Sequence, residues 1–223
     1  MKNNALAGRW IKRIAVYLLG VVTMAVGISL AIRAGIGVAP GGVISYAVSR
    51  LTVISVGWCT TLFHIVCIFA QLLISRRFTV GLVIQLPLAF VFGRLIDFFL
   101  GIFAISPANL IVSIAILCGG IIVFSFGIRA MAGADLLLLP SDGLAQIAGA
   151  KVGWKFPKAK LVEDILFTVT AVALMLAFSG DVFSVVGIGT VLSAAATGPM
   201  VGVFTRLMPF LDVSFELKRT NGG

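Results

Sequence analysis

Apolar residues run through this chain in six long blocks, and the polar residues collect between the blocks instead of alternating with them as they do in a soluble fold. A block of about 18 or more apolar residues can cross the ~30 Å hydrocarbon layer of a bilayer as a helix. The blocks predict spans over 14–32, 57–75, 79–103, 110–128, 161–178 and 182–207. Two further apolar stretches, 43–54 and 142–152, are too short to cross and predict half-helices or surface helices. The turn Ser106–Pro107–Ala108–Asn109 separates the third span from the fourth. The expected fold is an all-α polytopic membrane protein, with 1–223 forming a single transmembrane domain.

The chain partly repeats itself about 100 residues on. Residues 27–42 (GISLAIRAGIGVAPGG) return loosely as 127–143 (GIRAMAGADLLLLPSDG), matching Gly20, Gly27 and Pro40 to Gly120, Gly127 and Pro140. Residues 78–94 and 183–199 match more weakly, Phe78 with Phe183 and Gly93 with Gly198. This divides the chain into a first repeat over 14–103 and a second over 110–207, each of three spans with an interruption after its first. An odd number of crossings sends the second half into the membrane from the opposite side. The expected architecture is therefore two inverted three-helix repeats, with short interrupted or re-entrant segments after the first and fourth spans.

Composition agrees with a membrane setting. Of 223 residues, 60% are hydrophobic and 11% charged, with a mean hydropathy of +1.17. Soluble domains carry about a quarter charged residues, so this chain has too little polar surface to face water on all sides. The net charge of +9 does not point to nucleic acid, because the basic residues form no stripe with interleaved aromatics and sit mostly at the ends of apolar blocks. With the N-terminus in the cytoplasm, the inner face receives Lys2, Arg9, Lys12, Arg13, Arg76, Arg77, Arg129, Lys151, Lys155, Lys158, Lys160, Arg206, Lys218 and Arg219. Arg33 and Arg50 fall in outer loops and Arg94 inside a span. Both termini are then expected in the cytoplasm. The first block is followed by five more and by no small-residue cleavage site, so it is expected to remain as a helix. Cys59, Cys67 and Cys118 lie in or beside apolar blocks without CxxC spacing, which reads as buried or lipid-facing residues.

Candidate chemistry comes from glycine, proline and the few polar groups within the blocks. Gly35, Gly37, Pro40, Gly41 and Gly42 break any helix; at membrane depth such backbone must line a protein-covered or wet cavity, and at the surface it is only an outer loop. At depth, the N-terminus of the next short helix offers backbone donors to a ligand. The counterpart Pro140–Ser141–Asp142–Gly143 reads as a helix start, with Ser141 or Asp142 as cap. Arg94 and Asp97 stand three apart on one helical face and are expected to pair. His64 and Gln85 lie inside spans and are expected to face protein. Glu163 and Asp164, near Lys160, suit either capping or a gating and coupling role. The expected cavity is lined by Arg33, the 37–42 backbone, His64, Gln85, Arg94 and Asp97, with Asp142 approaching from inside. One or two cations beside an acid favour a small organic anion or zwitterion over a metal ion.

The first span ends in Gly27–x–Ser29–Leu30–Ala31, followed by Gly35–x–Gly37–x–x–Pro40–Gly41–Gly42. In these motifs, and in size and span count, the chain resembles the YczE/YyaS/YitT family of small bacterial integral membrane proteins. The resemblance implies a transporter-like protein of poorly defined substrate and assigns no site residues. In the second half, Ser141–Asp142 replaces Gly41–Gly42.

The functional expectation is a small-molecule transporter working by alternating access. The second class is a substrate-binding membrane subunit docked on an ATP-driven module, and the third a non-transporting accessory protein. No GxxxxGK[ST] occurs, so ATP use requires a partner. With no HExxH or GxSxG and a single histidine, no enzyme activity and no cofactor are expected. The expected partners are the phospholipid bilayer and a small-molecule substrate, with a second copy of the chain or an ATP-driven module as protein partner.

Overall fold

The computed structural model describes residues 2–212. Lys218, Arg219 and the C-terminus, counted above on the inner face, lie outside the described residues, as does the side chain of Lys2. All regular structure among the described residues is helical. Helix α1 (Lys2–Ala34) leads through a 3-10 turn at Pro40–Gly42 into α2 (Val43–Leu51), followed by α3 (Val56–Ser75) and α4 (Val80–Ile102). Helices α5 (Leu110–Ala134), α6 (Pro140–Lys151), α7 (Phe156–Phe178) and α8 (Ile188–Leu207) repeat that order of long, short, long, long. Six of them, all but α2 and α6, are long and apolar enough to cross a membrane, so the chain is a multi-pass membrane protein.

Local chemistry sets the ends of these helices. Ser55 and Asn109 cap α3 and α5, their side chains accepting from the backbone N–H of Trp58 and Val112. Pro40 opens the turn before α2 and Pro140 the first turn of α6, where a missing N–H costs nothing. The short helices run over Val43–Leu51 and Pro140–Lys151 in place of 43–54 and 142–152. Helix α7 begins at Phe156, well before the expected 161, because Lys160 finds carboxylate partners that let it lie within the span.

Hydrogen bonds show which ends adjoin. Arg13 near the start of α1 donates to Ala134 O (2.5 Å) and to Asp135 O at the end of α5. Lys151 at the end of α6 donates to Ile74 O (3.0 Å) at the end of α3. This face also carries Arg76, Arg77, Lys155 and Lys158 and is called the basic face below. At the opposite face, Arg33 at the end of α1 donates to Leu100 O near the end of α4. The N–H of Gly57 at the start of α3 donates to Asp97 Oδ1 (2.7 Å) there.

Helices α1 and α5 cross antiparallel through four glycines. A methyl group on Gly20 would lie 2.8 Å from Gly127 O, and one on Gly127 2.7 Å from Gly20 O. Likewise a methyl on Gly27 would lie 2.7 Å from Gly120 O, and one on Gly120 2.9 Å from Gly27 O. Backbones approach this closely only where side chains are absent, which is how membrane helices gain packing energy when lipid supplies no hydrophobic drive. Gly20 is matched in sequence to Gly120, and Gly27 to Gly127, yet each glycine touches the partner of the other pair.

Helices α2 and α6 both pack between α3 and α7. The strand of chain before α2 starts at the face opposite the basic one, where Val38 N–H donates to Val185 O (3.3 Å) and Gly189 N–H to Ile36 O (2.7 Å). Gly37 takes φ 106° there, against the backbone of Gly187. From that point the chain dips to the buried Pro40 and α2 climbs back. The other half mirrors this: after α5 the chain dips from the basic face to the buried Pro140, and α6 returns to Lys151. At about 1.5 Å rise per residue, the 9 residues of α2 and 12 of α6 span roughly 14 and 18 Å, together about one hydrocarbon thickness.

One pairing differs between the halves. Helix α4 packs along α3, whereas α8 packs on α5 and barely touches α7. Helices α7 and α8 are joined at the face opposite the basic one.

Candidate functional site

The starts of the two short helices, α2 and α6, meet at Lys160 of α7. Its Nζ lies 3.1 Å from Asp142 Oδ1 in the first turn of α6, 3.0 Å from Glu163 Oε2 and 3.0 Å from Asp164 Oδ1. A methyl group on Gly41, just before α2, would lie 3.8 Å from the same nitrogen. The helical period places Glu163 and Asp164 one turn beyond Lys160 on its own face. Lys160 donates to Glu163 and reaches Asp164 and Asp142 at hydrogen-bond distance as well. The Glu163 side chain is 8% exposed, while Lys160, Asp142 and Asp164 keep 24%, 22% and 27%, so the cluster borders space that water can enter.

Three carboxylates face one ammonium here. The N-terminal ends of α2 and α6, capped by no side chain, lie at the cluster and each contribute about half a positive charge. From α3, the buried His64 stacks on Phe92 (ring centroids 5.8 Å apart) with its Nδ1 unpartnered. His64 lies within electrostatic reach of Asp142 and Lys160, and Cys67 within reach of Glu163 as well. Phe63 and Phe167 meet edge to face at 5.0 Å and tie α3 to α7 at this level.

A second polar network holds α6 in place. Gln71 Nε2 donates to Gln85 Oε1 (3.0 Å) and to Pro140 O (2.9 Å), and Gln85 Nε2 donates to Leu138 O (3.3 Å). Gly143 leaves room for these amides, since a methyl there would lie 2.7 Å from Gln71 Oε1. Gln85 thus positions the start of α6 and stands beside the cluster.

The expected site residues divide accordingly. Pro40, Gly41, Gly42, His64, Asp142, Glu163 and Asp164 gather at the cluster or its immediate backbone. Gly37 lies away from it, against Gly187. Arg33, expected in an outer loop and in the cavity, sits in the last turn of α1 and spends its guanidinium on Leu100 O. The expected pairing of Arg94 with Asp97 does not form. Asp97 accepts from Ser55 Oγ (2.7 Å) and Gly57 N–H (2.7 Å), two nearby donors already in place at the start of α3, and Arg94 is exposed. Asp142 does not cap α6 either: Leu139 holds the N-cap position with no side-chain cap, and the Asp142 carboxylate turns to Lys160. Lys160 and Gln71 were not among the expected site residues. The signal for Lys160 was its spacing to Glu163 and Asp164 inside an apolar block.

A groove of about 210 Å³ between α3 and α4, lined by residues such as Ile65, Phe69, Phe78 and Leu86, is wholly apolar and suits a lipid chain. The polar cluster does not border it.

Fold and site together define a multi-pass membrane protein with two short helices starting at a partly exposed charge cluster. Residues 11–206 match the model of a family of unknown function (DUF6198), and the chain belongs to that family. No curated protein and no solved structure matches it. The resemblance to the YczE/YyaS/YitT proteins therefore has no named relative behind it.

Proposed function

We propose that the protein carries a small polar solute across the bacterial cytoplasmic membrane by alternating access, with the Lys160 cluster as its central site. The observation that carries this reading is the meeting of two half-helices, one dipping from each face, on a single charge cluster between α3 and α7. Transporters built from inverted repeats bind at such a place, where broken helices aim their free ends at the solute. The reciprocal glycine contacts of α1 and α5 support inverted halves around that site. The YczE/YyaS/YitT resemblance points the same way.

The unequal packing of α3–α4 and α7–α8 supplies the mechanism. In this state α4 packs along α3 with Gly57 against Gly93, whereas α8 stands off α7; on the carrier reading the gap between α7 and α8 is an entrance at the basic face. Exchanging the two arrangements closes one entrance and opens the other. With the basic face in the cytoplasm, this is the inward-open state. The arginines that favoured an anion, Arg33 and Arg94, lie outside the cluster, and its carboxylate surplus favours a cation or zwitterion.

Reconstitution in liposomes tests the reading. A solute that stabilises the purified protein is expected to be taken up, faster or slower under an imposed pH gradient according to its coupling, and Asp142→Asn is expected to abolish uptake. No uptake of a bound solute under any gradient, in folded protein, rejects the carrier. A co-purifying ATPase pair then assigns the chain as a binding subunit, and its absence as an accessory protein.

A further inference from the structure

We propose that the Asp142–Glu163–Asp164 cluster is an exchange site for a primary ammonium group, occupied in this state by the protein's own Lys160 and shared or yielded when a ligand's amine enters. The identification of that ligand as the transported solute rests on the carrier reading; the site itself does not.

The seated ligand is visible in the geometry. Lys160 Nζ is an alkylammonium within 3.1 Å of three carboxylates from two helices. It satisfies them incompletely. Its three N–H donors face Glu163 Oε2, Asp164 Oδ1 and Asp142 Oδ1, while Glu163 Oε1 is buried without a partner on a side chain only 8% exposed. His64 Nδ1, on a residue 3% exposed within electrostatic reach of Asp142, is buried and unpartnered as well. Left-over acceptors of this kind are costly in a membrane interior unless something completes them.

The donor count agrees: three carboxyl groups offer six oxygens to the three N–H groups of one ammonium, so a further N–H donor finds acceptors here. The seat already holds an alkylammonium, so a donor of several N–H bonds suits it. The partial exposure of Lys160, Asp142 and Asp164 gives a ligand its entry.

Binding in detergent, at constant ionic strength, tests the site without requiring transport. Ethylammonium is the probe and tetramethylammonium, which carries the charge but no N–H, the control. Wild type is expected to show a saturable rise in melting temperature with ethylammonium alone. Lys160→Ala is expected to bind ethylammonium at least about tenfold more tightly, because the resident competitor is gone. Asp164→Asn, which keeps Lys160 in place, guards against a misfolded lysine variant and is expected to lose the ethylammonium response. Equal responses to the two probes in wild type overturn the proposal. A response in Lys160→Ala but none in wild type also overturns it, making Lys160 a permanent structural cation. Specific binding without uptake in liposomes rejects the carrier and keeps the site; uptake of another solute without ammonium-specific binding does the reverse.

Discussion

Gly57 of α3 and Gly93 of α4 meet backbone to backbone: a methyl on Gly57 would lie 2.0 Å from Gly93 O, and one on Gly93 2.3 Å from Gly57 O. Gly198, matched to Gly93 in the second half, has nothing within 4 Å of where its methyl would sit. The same position is closed in one half and open in the other.

Gly93→Ala is accordingly expected to cost about 1–3 kcal/mol by overpacking, despite alanine's better helix propensity. Gly198→Ala is expected to be neutral or to gain up to about 1 kcal/mol. Thermal unfolding in detergent separates the two. Under the carrier reading, the bulkier Gly198→Leu leaves stability unchanged and lowers flux, since α8 needs that bare face to close on α7.

Asp97 is expected to act as a structural tie between α4 and the start of α3. Asp97→Ala strands two donors, the Gly57 N–H and the Ser55 hydroxyl, and is expected to cost about 1–3 kcal/mol. Arg94→Ala should stay within about 0.5 kcal/mol. A double-mutant cycle is the sharper measurement: coupling of at least about 0.5 kcal/mol is expected between Ser55 and Asp97, and none between Arg94 and Asp97.

The two glutamines predict strong non-additivity. Gln71→Leu leaves Gln85 Oε1 and Pro140 O without their donor and is expected to cost about 1–3 kcal/mol. Replacing both by Leu removes one stranded partner along with the other, so the double variant is expected to lose less than the sum of the singles. Unfolding of the three variants side by side gives the answer.

Orientation is open to labelling. Cys59 and Cys67 are buried and Cys118 exposed, so a Cys118→Ser background leaves little thiol for an impermeant reagent to find. A cysteine at the exposed Ser106 is expected to react only from outside the cell, and one at Arg76 or Arg77 only from the cytoplasm. The reverse pattern turns the protein over.

The spans were legible because lipid imposes one long apolar run per crossing, and α3, α4 and α8 end within a residue or two of where hydropathy stops. The half-helices were legible through the Gly35–Gly42 cluster around Pro40 and through Pro140–Ser141–Asp142–Gly143, where proline stands beside glycines or helix-starting polar residues; a lone proline does not end a span, since Pro87 and Pro199 lie inside α4 and α8. Site chemistry was harder to read. Arg94 and Asp97 share a helix face, and spacing alone cannot reveal that Ser55 and Gly57, on another helix, already occupy the carboxylate. Lys160 was hidden by the opposite error: a lysine near the end of an apolar run reads as an interfacial anchor until Asp142, brought in by α6, meets it from across the fold. Hydropathy records what lipid will accept, and these contacts are between parts of the chain that lipid never sees.

The shared seat of the half-helices also dictates an order of assembly. Helix α2 is too short to be threaded across the bilayer by itself, and its cover at depth comes from α3 and α7. Helix α7 leaves the ribosome more than a hundred residues after α2 has been made. During synthesis the Pro40–Leu51 segment must wait near the membrane surface while α3, α4 and α5 are inserted, and it can be drawn inward only when α7 arrives. The first half of this protein therefore cannot finish folding before most of the second half exists, and a chain cut short before Phe156 is one for quality control to destroy.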